Sequence, residues 1–386
     1  MQSTWHPVQS NPNLVVAVTL IFELNSIATT TTTTTPTSTA TPSLPFCAVR
    51  AIMPGLVSVS EQDYILRGVA CNIRGDGRKN HEFRPIFLET GIISQASGSS
   101  RVKSDITDVV VGIKFEVETF GSRTDDDQGD DYADDRGIGR GADDPLHDAA
   151  DDIDADQGAI QDRGRVVCNV ECSPSASRST DRRELENMAL EYSEFMNRVL
   201  NAPHGGIDLK ALLIVPKTSC WVIYIDVLVL DMGGSLLDTI FLATRAAMGN
   251  ARMAKVLLEQ VGGRYEYDIS DDETEIVKGW EDIPITITFY KIGERFVVDA
   301  SIMEELCSES RFVVAINRHG RLCAVQKAGL GRISPNLMTQ ILQTAPSIGL
   351  SVMKRLERYL TIETERISKR QDPLGFLGDY SLTFHE

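Results

Sequence analysis

A long apolar stretch in the middle of the chain constrains the fold more than any other feature. Residues 212–230 are rich in Val, Ile, Leu and aromatic side chains, and the sequence Pro-Lys-Thr-Ser at 216–219 interrupts them. This pattern predicts two strands joined by a turn. Gly233 and Gly234 end the stretch, and residues 236–248 are apolar enough for a buried helix. The middle of the chain therefore predicts a sheet packed against a helix.

Further strand-like segments lie on both sides of this stretch. They are residues 109–113, 166–172, 283–289, 295–299, 311–316 and 321–326. Polar and apolar side chains alternate along residues 283–289, which is typical of a strand with one buried face. Strands and helices do not alternate regularly along the chain, so a doubly wound parallel sheet is not expected.

Two amphipathic helices are also predicted. In the first, apolar side chains recur at helical spacing at Leu185, Met188, Tyr192, Phe195, Met196 and Val199. The second begins with Ser334 as its N-cap and Pro335 in its first turn. Its apolar stripe consists of Leu337, Ile341, Ile348, Val352, Leu356 and Leu360. Because proline lacks a backbone N–H, we expect a kink or a break at Pro346 within this stripe.

The acidity of the chain is concentrated in one segment. The net charge of the 386 residues is −17, and residues 124–163, with fifteen Asp and three Arg, contribute −12 of it. The remaining −5 leaves a nearly neutral body, without the strong basic character of a general nucleic-acid binder. The acidic segment is predicted to be a solvated loop between two strands. An interaction tail for a basic partner is the alternative.

Low-complexity sequence sets the N-terminal boundary of the domain. Residues 29–35 are all threonine, and Pro, Ser and Thr dominate the residues that follow, so this region has little to bury. The predicted organisation is a disordered tail at 1–52, a domain at 53–370 with a disordered acidic insert at 123–164, and a mobile tail at 371–386.

No motif indicates a metal ion or a cofactor. Asp152, Asp154 and Asp156 have the spacing of the first ligands of a calcium loop, but Gln157 replaces its glycine and Arg163 its final glutamate. The seven cysteines are widely spaced, and no second Cys or His pair completes a zinc site around the one C-x3-C sequence. We interpret the cysteines as reduced, buried thiols.

The glycine turn before the central helix allows two interpretations. A glycine-rich turn that opens a helix can present backbone N–H groups to an anion. Such a site usually adds a cation, but the residue after Ser235 is Leu236, and the next arginine is Arg245. A tight turn needed for packing is the alternative, and the sequence leaves both open.

Several strings in a fixed order carry a family resemblance. Residues 73–78 read Ile-Arg-Gly-Asp-Gly-Arg, and residues 83–85 read Phe-Arg-Pro. Residues 221–234 run from Trp through Asp-Val to Gly-Gly, and further matching segments lie at 298–305 and 326–331. In order and spacing these strings resemble RNase PH-like proteins over about residues 56–360, interrupted by the acidic insert.

The resemblance implies a fold, a set of partner subunits, a function and a localisation. The expected fold is α+β, the RNase PH-like fold shared with the second domain of ribosomal protein S5, with mixed β-sheets and packed helices. Members of this family form a six-membered ring in the RNA exosome, capped by RNA-binding subunits. The implied partners are other RNase PH-like ring subunits, the cap subunits and RNA. The implied function is 3′–5′ RNA processing and degradation, with rRNA maturation and mRNA turnover, in the nucleus, the nucleolus and the cytoplasm.

Departures from the family pattern bear on catalysis. Active relatives cleave RNA with inorganic phosphate, so cations must hold two anions together. Where those relatives carry a phosphate-binding arginine after the glycine turn, this chain has Leu236; where they carry a second helix arginine, it has Asn201. Their late D-x-D pair corresponds to Asp299 followed by Ser301. The resemblance therefore implies a non-catalytic ring subunit, and an active phosphate-dependent 3′–5′ exoribonuclease is the alternative.

Four basic residues are candidates for RNA contact within such a ring. Arg198 lies on the helix that resembles the RNA-facing helix of the family, and Arg101, Lys103 and Arg252 are the others. The alternative is that each is an ordinary surface or interface cation. No stretch reaches the roughly 18 consecutive apolar residues that a membrane-spanning helix needs, so no membrane partner is expected.

Overall fold

The computed structural model of the protein describes residues 57–119, 163–176, 182–203, 205–216, 218–261, 264–369 and 371. The predicted tail at 1–52 lies outside the described residues. The insert at 123–164 also lies outside them except for its last two residues, as does the tail at 371–386 except for its first.

A six-stranded mixed sheet forms one layer of the domain. Its strands are β1 (Ile86–Thr90), β2 (Gly98–Ser104), β3 (Thr107–Thr119), β4 (Arg165–Cys172), β5 (Leu213–Val215) and β6 (Ser219–Asp231). The order is β1-β2-β3-β6-β4, and the short β5 pairs with β6. The β4–β6 pair is parallel and the others are antiparallel. The two strands predicted from residues 212–230 are thus β5 and β6, and β6 is central.

A second sheet and a separate hairpin complete the strands. The second sheet has the order β10-β9-β11-β12 and is antiparallel throughout. Its strands are β9 (Ile285–Ile292), β10 (Arg295–Val298), β11 (Ser310–Ile316) and β12 (Leu322–Ala328). Strands β7 (Met253–Val261) and β8 (Arg264–Glu275) pair only with each other among the described strands.

The described residues also form five α-helices and one short 3-10 helix. The α-helices are α1 (Val59–Ala70), α2 (Arg182–Leu200), α3 (Leu236–Asn250), α4 (Ile302–Cys307) and α5 (Pro335–Ser368), and the 3-10 helix is Trp280–Asp282. Ser58 and Glu61 cap the start of α1 reciprocally, and the predicted Ser334 N-cap of α5 accepts a hydrogen bond from the Leu337 N–H. The predicted helices over 185–199, 236–248 and from 334 onward are confirmed.

Helix α3 lies in the core between the two sheets. It contacts β2 and β3 of the first sheet and β9 of the second, and every residue from Leu236 to Met248 is buried. A helix that is covered all round needs side chains without free polar groups, which explains its apolar sequence. The glycine turn that precedes α3 is therefore held between both sheets.

Strand β9 corrects one prediction from the sequence. The alternation in residues 283–289 predicted one buried face, but both faces of β9 are buried. Ile287 packs toward Gly349 of α5, while Thr286 donates a hydrogen bond to the Leu237 carbonyl of α3. The threonines are polar but buried, because their hydroxyls find partners on α3.

Helix α5 excludes the break that was one of the two alternatives predicted at Pro346. It runs without a break from Pro335 to Ser368 through Pro346. Buried side chains lie on both sides of the proline, among them Ile341 and Leu342 before it and Val352 and Met353 after it. Continuous packing of this face against the domain holds the helix together where the missing N–H alone predicted a break.

The predicted burial of the cysteines holds only in part. All six described cysteines are free thiols; Cys168 and Cys220 are buried, but Cys71 is exposed. Cys71 follows the end of α1 at the surface, so an apolar neighbourhood in sequence did not imply burial there. In the described part of the chain, no helix combines the length and hydropathy needed to span a membrane.

Candidate functional site

The glycine turn is packed tightly from both sides. A side chain at Gly233 would bring its Cβ to 2.6 Å from the Cβ of Ile106, and Gly234 has a φ of +103° and lies against the Ala300 carbonyl. The Thr107 hydroxyl accepts a hydrogen bond from the Gly233 N–H at 3.1 Å and donates one to the Gly234 carbonyl at 2.9 Å. Close packing therefore accounts for both glycines.

Arg84 joins this turn to a buried carboxylate. Its guanidinium donates to the carbonyls of Gly233 and Gly234, each at 3.1 Å, and to Oδ1 of Asp299 at 2.8 Å. The backbone N–H of Arg84 also donates to Oδ2 of Asp299 at 2.6 Å. Burial by itself would raise the pKa of Asp299, but the charge and hydrogen bonds of Arg84, assisted by Arg78, lower it below its usual value.

Two more arginines of the same N-terminal segment complete this network. Arg78 donates to Oδ2 of Asp299 at 3.1 Å. Arg74 donates to Oε1 of Glu304 at 2.8 Å and to the carbonyls of Val298 and Asp299, each at 2.9 Å. Asp299 itself has a positive φ of 50°, a conformation that costs energy and persists when such surroundings hold it. We define Arg74, Arg78, Arg84, Asp299 and Glu304 as the arginine cluster.

Ser301 has a structural role beside this cluster. Its backbone N–H and its hydroxyl both donate to Oε2 of Glu304, at 2.8 and 3.1 Å, at the start of α4. A carboxylate in place of Ser301 would face Glu304 and be repelled by it. The position predicted to have lost the second aspartate is therefore occupied by a helix-capping residue.

The start of α3 carries an internal carboxylate in place of a cation. Leu236, where active relatives have their phosphate-binding arginine, is buried. In the same turn, the Asp238 carboxylate accepts hydrogen bonds from the Ser235 hydroxyl at 2.9 Å and from Thr288, through its N–H at 2.9 Å and its hydroxyl at 2.7 Å. A carboxylate is favoured at a helix N-terminus, but it repels a second anion.

Asp238 makes the stability of the domain depend on pH. Burial, opposed by the hydrogen bonds from Thr288 and Ser235, raises its pKa from 3.8 to about 7. Between about pH 4 and pH 7 the folded protein therefore holds a proton that the unfolded chain has released, so the free energy of unfolding falls as the pH rises. We expect Asp238→Asn to remove this fall, which is on the order of a few kcal/mol.

Thermal melting of the wild type and of Asp238→Asn at about pH 5 and about pH 8 measures this difference. The variant should gain stability relative to the wild type at the higher pH. The surface change Asp268→Asn serves as the control, because Asp268 is exposed. Equal pH dependence of the wild type and Asp238→Asn would contradict the assignment.

Asn201 belongs to a different part of the molecule. Its side-chain amide accepts from the Val166 N–H at 2.9 Å and donates to the Val166 carbonyl at 2.8 Å. One turn earlier on α2, Asn197 makes the same pair of bonds with Cys168, at 2.8 and 3.1 Å. The Ser193 hydroxyl accepts from the Val170 N–H at 2.9 Å. Along the free edge of β4, the side chains of Ser193, Asn197 and Asn201 thus bond to the N–H and carbonyl groups of Val166 and Cys168 and to the Val170 N–H.

The four positions that correspond to phosphate-binding or catalytic residues of active relatives therefore fall into two groups. Leu236, Asp299 and Ser301 surround the glycine turn, which follows the end of β6. Asn201 bonds to Val166, which lies beside Ile223 near the start of β6. The eight residue-to-residue steps from Ile223 to Asp231 span about 26 Å of strand. Within this chain, Asn201 and the turn do not form one site.

The candidate RNA-binding cations are also dispersed. Arg198 is exposed in the last turn of α2 and donates to Gln326 of β12 at 2.5 Å. Arg101 forms an ion pair of 2.7 Å with Asp108, and Lys103 follows it on the same face of β2. Arg252 is exposed beyond α3. Three strand spacings, about 14 Å, separate β2 from β4, against which α2 packs.

Sequence reasoning missed the arginine cluster and the carboxylate at the start of α3. The arginines stood out as a family signature, but their partners Asp299 and Glu304 lie more than 200 residues away. Asp238 carried a local signal, because an aspartate in the first turn of a strongly apolar helix needs buried partners. No group of three or more His, Cys, Asp or Glu side chains in the described part of the chain could hold a metal ion.

Comparison with known protein families identifies the family to which this fold and site belong. The first domain of the 3′ exoribonuclease family, RNase PH, matches residues 82–134 and 148–254, and the second domain matches residues 282–347. The class of protein is thus an RNase PH-like α+β domain. The chain belongs to the 3′ exoribonuclease, or RNase PH, family.

Individual relatives show which members of this family the chain resembles. An exosome complex component Rrp42 of Pyrococcus horikoshii is 31% identical over 313 residues, which cover 80% of this chain and 95% of the relative. A protein of Dictyostelium discoideum, whose name includes "exosome complex exonuclease RRP42", is 28% identical over 347 residues, or 79% of this chain and 98% of its own. These relatives confirm the resemblance to exosome ring subunits of the RNase PH family that the motifs carry.

Solved structures agree on the fold. A chain of an archaeal exosome core superimposes with a TM-score of 0.56 at 22% identity and covers 77% of this chain and 96% of its own. A chain of the Archaeoglobus fulgidus exosome with RNA bound to the active site gives a TM-score of 0.56 at 23% identity, covering 78% and 97%. The predicted RNase PH-like α+β fold is confirmed.

Proposed function

We propose that this protein is a non-catalytic structural subunit of an RNA exosome ring. The relatives of similar length carry the name of an exosome component, and the fold matches chains of exosome cores. In this proposal the chain forms one sector of the ring and part of the wall of its RNA channel. Its partners are the other RNase PH-like subunits, the cap subunits and RNA.

The residues at the start of α3 support the proposal that the chain is not catalytic. Phosphorolysis brings inorganic phosphate against an RNA phosphodiester, and cations must offset the repulsion between these anions. At the turn that resembles the phosphate-binding turn of active relatives, Leu236 is buried, and the first turn of α3 holds the buried carboxyl group of Asp238 in place of a cation. The arginines beside the turn bond to Asp299, Glu304 and backbone carbonyls. Loss of one such cation costs orders of magnitude in rate.

An active phosphate-dependent exoribonuclease remains the second candidate, and the word exonuclease in the name of the Dictyostelium relative favours it. We expect the purified chain, incubated with RNA and inorganic phosphate, to release no ribonucleoside diphosphates. Release that depends on inorganic phosphate and co-elutes with the chain through a further purification step would support the second candidate.

Co-purification tests ring membership directly. The tagged chain, expressed in its own cells, should recover the other ring subunits in equal amounts, as identified by mass spectrometry. Recovery from nuclear, nucleolar and cytoplasmic fractions would support the proposed localisation. A chain that purifies without ring subunits would contradict the proposal.

For RNA contact, charge reversal at Arg198, Arg101, Lys103 or Arg252 in the assembled ring should reduce the salt dependence of RNA binding.

A further inference from the structure

The β7–β8 hairpin stands apart from both sheets. It packs on the domain near its base, where Met253 is buried and Val256 and Tyr267 lie against the core. An isolated two-stranded hairpin is at best marginally stable in water. The family matches end at residue 254 and resume at residue 282, so the hairpin lies outside both matched domains.

One face of the hairpin is apolar and partly uncovered. Val256 lies opposite Ile269, and Leu258 lies opposite Tyr267, so all four side chains share one face. Val256 and Tyr267 pack against the core, whereas Leu258 is 54% and Ile269 37% exposed. The apolar face of the hairpin therefore continues outward from the core into solvent.

The remainder of the hairpin is strongly acidic. Residues 253–275 contain seven Asp or Glu and two Lys or Arg, a net charge of −5. This equals the whole charge of the chain outside residues 124–163, so the rest of the protein is neutral. Asp268 and Glu275 are exposed, and the pairing register leaves residues 270–273 opposite the single residue Lys255. Asp268 pairs with Leu257, so it lies on the face of this two-stranded ribbon that is opposite to Leu258 and Ile269.

We propose that the β7–β8 hairpin is a docking surface for a basic, partly apolar surface of another protein subunit of the same exosome. The apolar side chains Leu258 and Ile269 supply area to bury. The net negative charge of the hairpin acts over a Debye length of about 8–10 Å, and therefore through the thin ribbon, so it favours a partner rich in Lys or Arg. RNA is disfavoured as the occupant, because its phosphates would be repelled by the same charges. This inference rests on the proposed membership in the exosome, but not on the absence of catalysis.

The test is assembly of the full chain with the other exosome subunits of its own organism, co-expressed and measured by native mass spectrometry. We expect Asp268→Lys/Glu275→Lys and Leu258→Ser each to weaken incorporation at least about tenfold, since like charges and lost apolar contact oppose docking. The wild-type complex should weaken at high ionic strength, and the double-lysine variant should lose this salt dependence.

A matched control lies on α2. Leu190 is 59% exposed and Glu194 is exposed, and Leu190→Ser/Glu194→Lys should assemble like the wild type. The melting temperatures of all variants alone should match, which separates docking from folding.

Three outcomes would overturn the inference: normal incorporation of both hairpin variants, an equal loss in the α2 control, or intact assembly with altered RNA binding. Failure of the wild type to assemble would overturn the proposed function and this inference together.

Discussion

Replacing Arg84 with alanine should lower the free energy of unfolding by on the order of 3–5 kcal/mol, the usual cost of leaving a buried charge without its partner. Arg84 is buried, and the change removes its bonds to Asp299 and to the carbonyls of Gly233 and Gly234. Urea denaturation of the purified protein measures the loss. Because that loss is a large part of the stability of a domain, soluble yield should fall as well.

A second variant and a control keep this prediction testable if Arg84→Ala does not fold. Arg84→Met with Asp299→Asn removes both charges, so it should be more stable than Arg84→Met alone. Arg67→Ala is the control, because Arg67 is 84% exposed and its ion pair with Asp63 is 3.9 Å long; we expect a change within about 0.5 kcal/mol. Stability of Arg84→Ala equal to that of Arg67→Ala would refute the role of the arginine cluster.

The second large effect is expected at the edge of β4. Asn197→Ala with Asn201→Ala leaves the N–H and carbonyl groups of Val166 and Cys168 without their side-chain partners. Each unsatisfied group costs about 1–3 kcal/mol when water cannot reach it, and these groups are partly buried. We expect a total loss on the order of 2–5 kcal/mol in urea denaturation.

The same variant should also aggregate, because an uncovered strand edge offers hydrogen bonds to another chain. Light scattering at equal protein concentration detects this. Glu194→Ala on the exposed face of α2 controls for the change in helix composition. The arginine of active relatives would not rescue the site: Asn201→Arg should destabilise the domain as much as Asn201→Ala. A double variant that is as stable and soluble as Glu194→Ala would contradict this account.

The opposite edge of the large sheet is closed by the same means. On α5, the Tyr359 hydroxyl donates to the Leu88 carbonyl of β1, and Glu363 accepts from the Thr90 N–H at 3.4 Å. Each outer strand thus pairs with side chains four residues apart on a helix, which lie on one helix face. Side chains bonded to a strand edge discourage its pairing with other chains, whereas Leu258 and Ile269 of the β7–β8 hairpin are exposed to solvent.

Much of the fold could be predicted because it depends on neighbours in sequence. The periodicity of Leu185 to Val199 predicted α2, the Ser334-Pro335 pair predicted the start of α5, and the turn at 216–219 separated β5 from β6. Asp105 in the turn between β2 and β3 has a φ of 54°, a conformation that aspartate tolerates. These features are local, so a window of a few residues contains their cause.

The predictions that failed depended on what packs from elsewhere. Residues 283–289 alternate, yet β9 is buried on both faces because α3 and α5 cover it. Pro346 lies inside a continuous helix because buried residues on both sides of it hold α5 in place. In neither case does the local sequence contain the surface that decides the outcome.

The sequence by itself determined the family, several of the longer strands and helices, and the residue types that stand where active relatives carry catalytic ones. Only the tertiary structure decided what those residues do. Leu236 is buried, Ser301 caps a helix, Asn201 closes a sheet edge, and Asp299 binds Arg84 across 215 residues of chain. The physical reason is that a buried polar group needs a partner, and a partner distant in sequence is supplied by the packing of the sheets and helices.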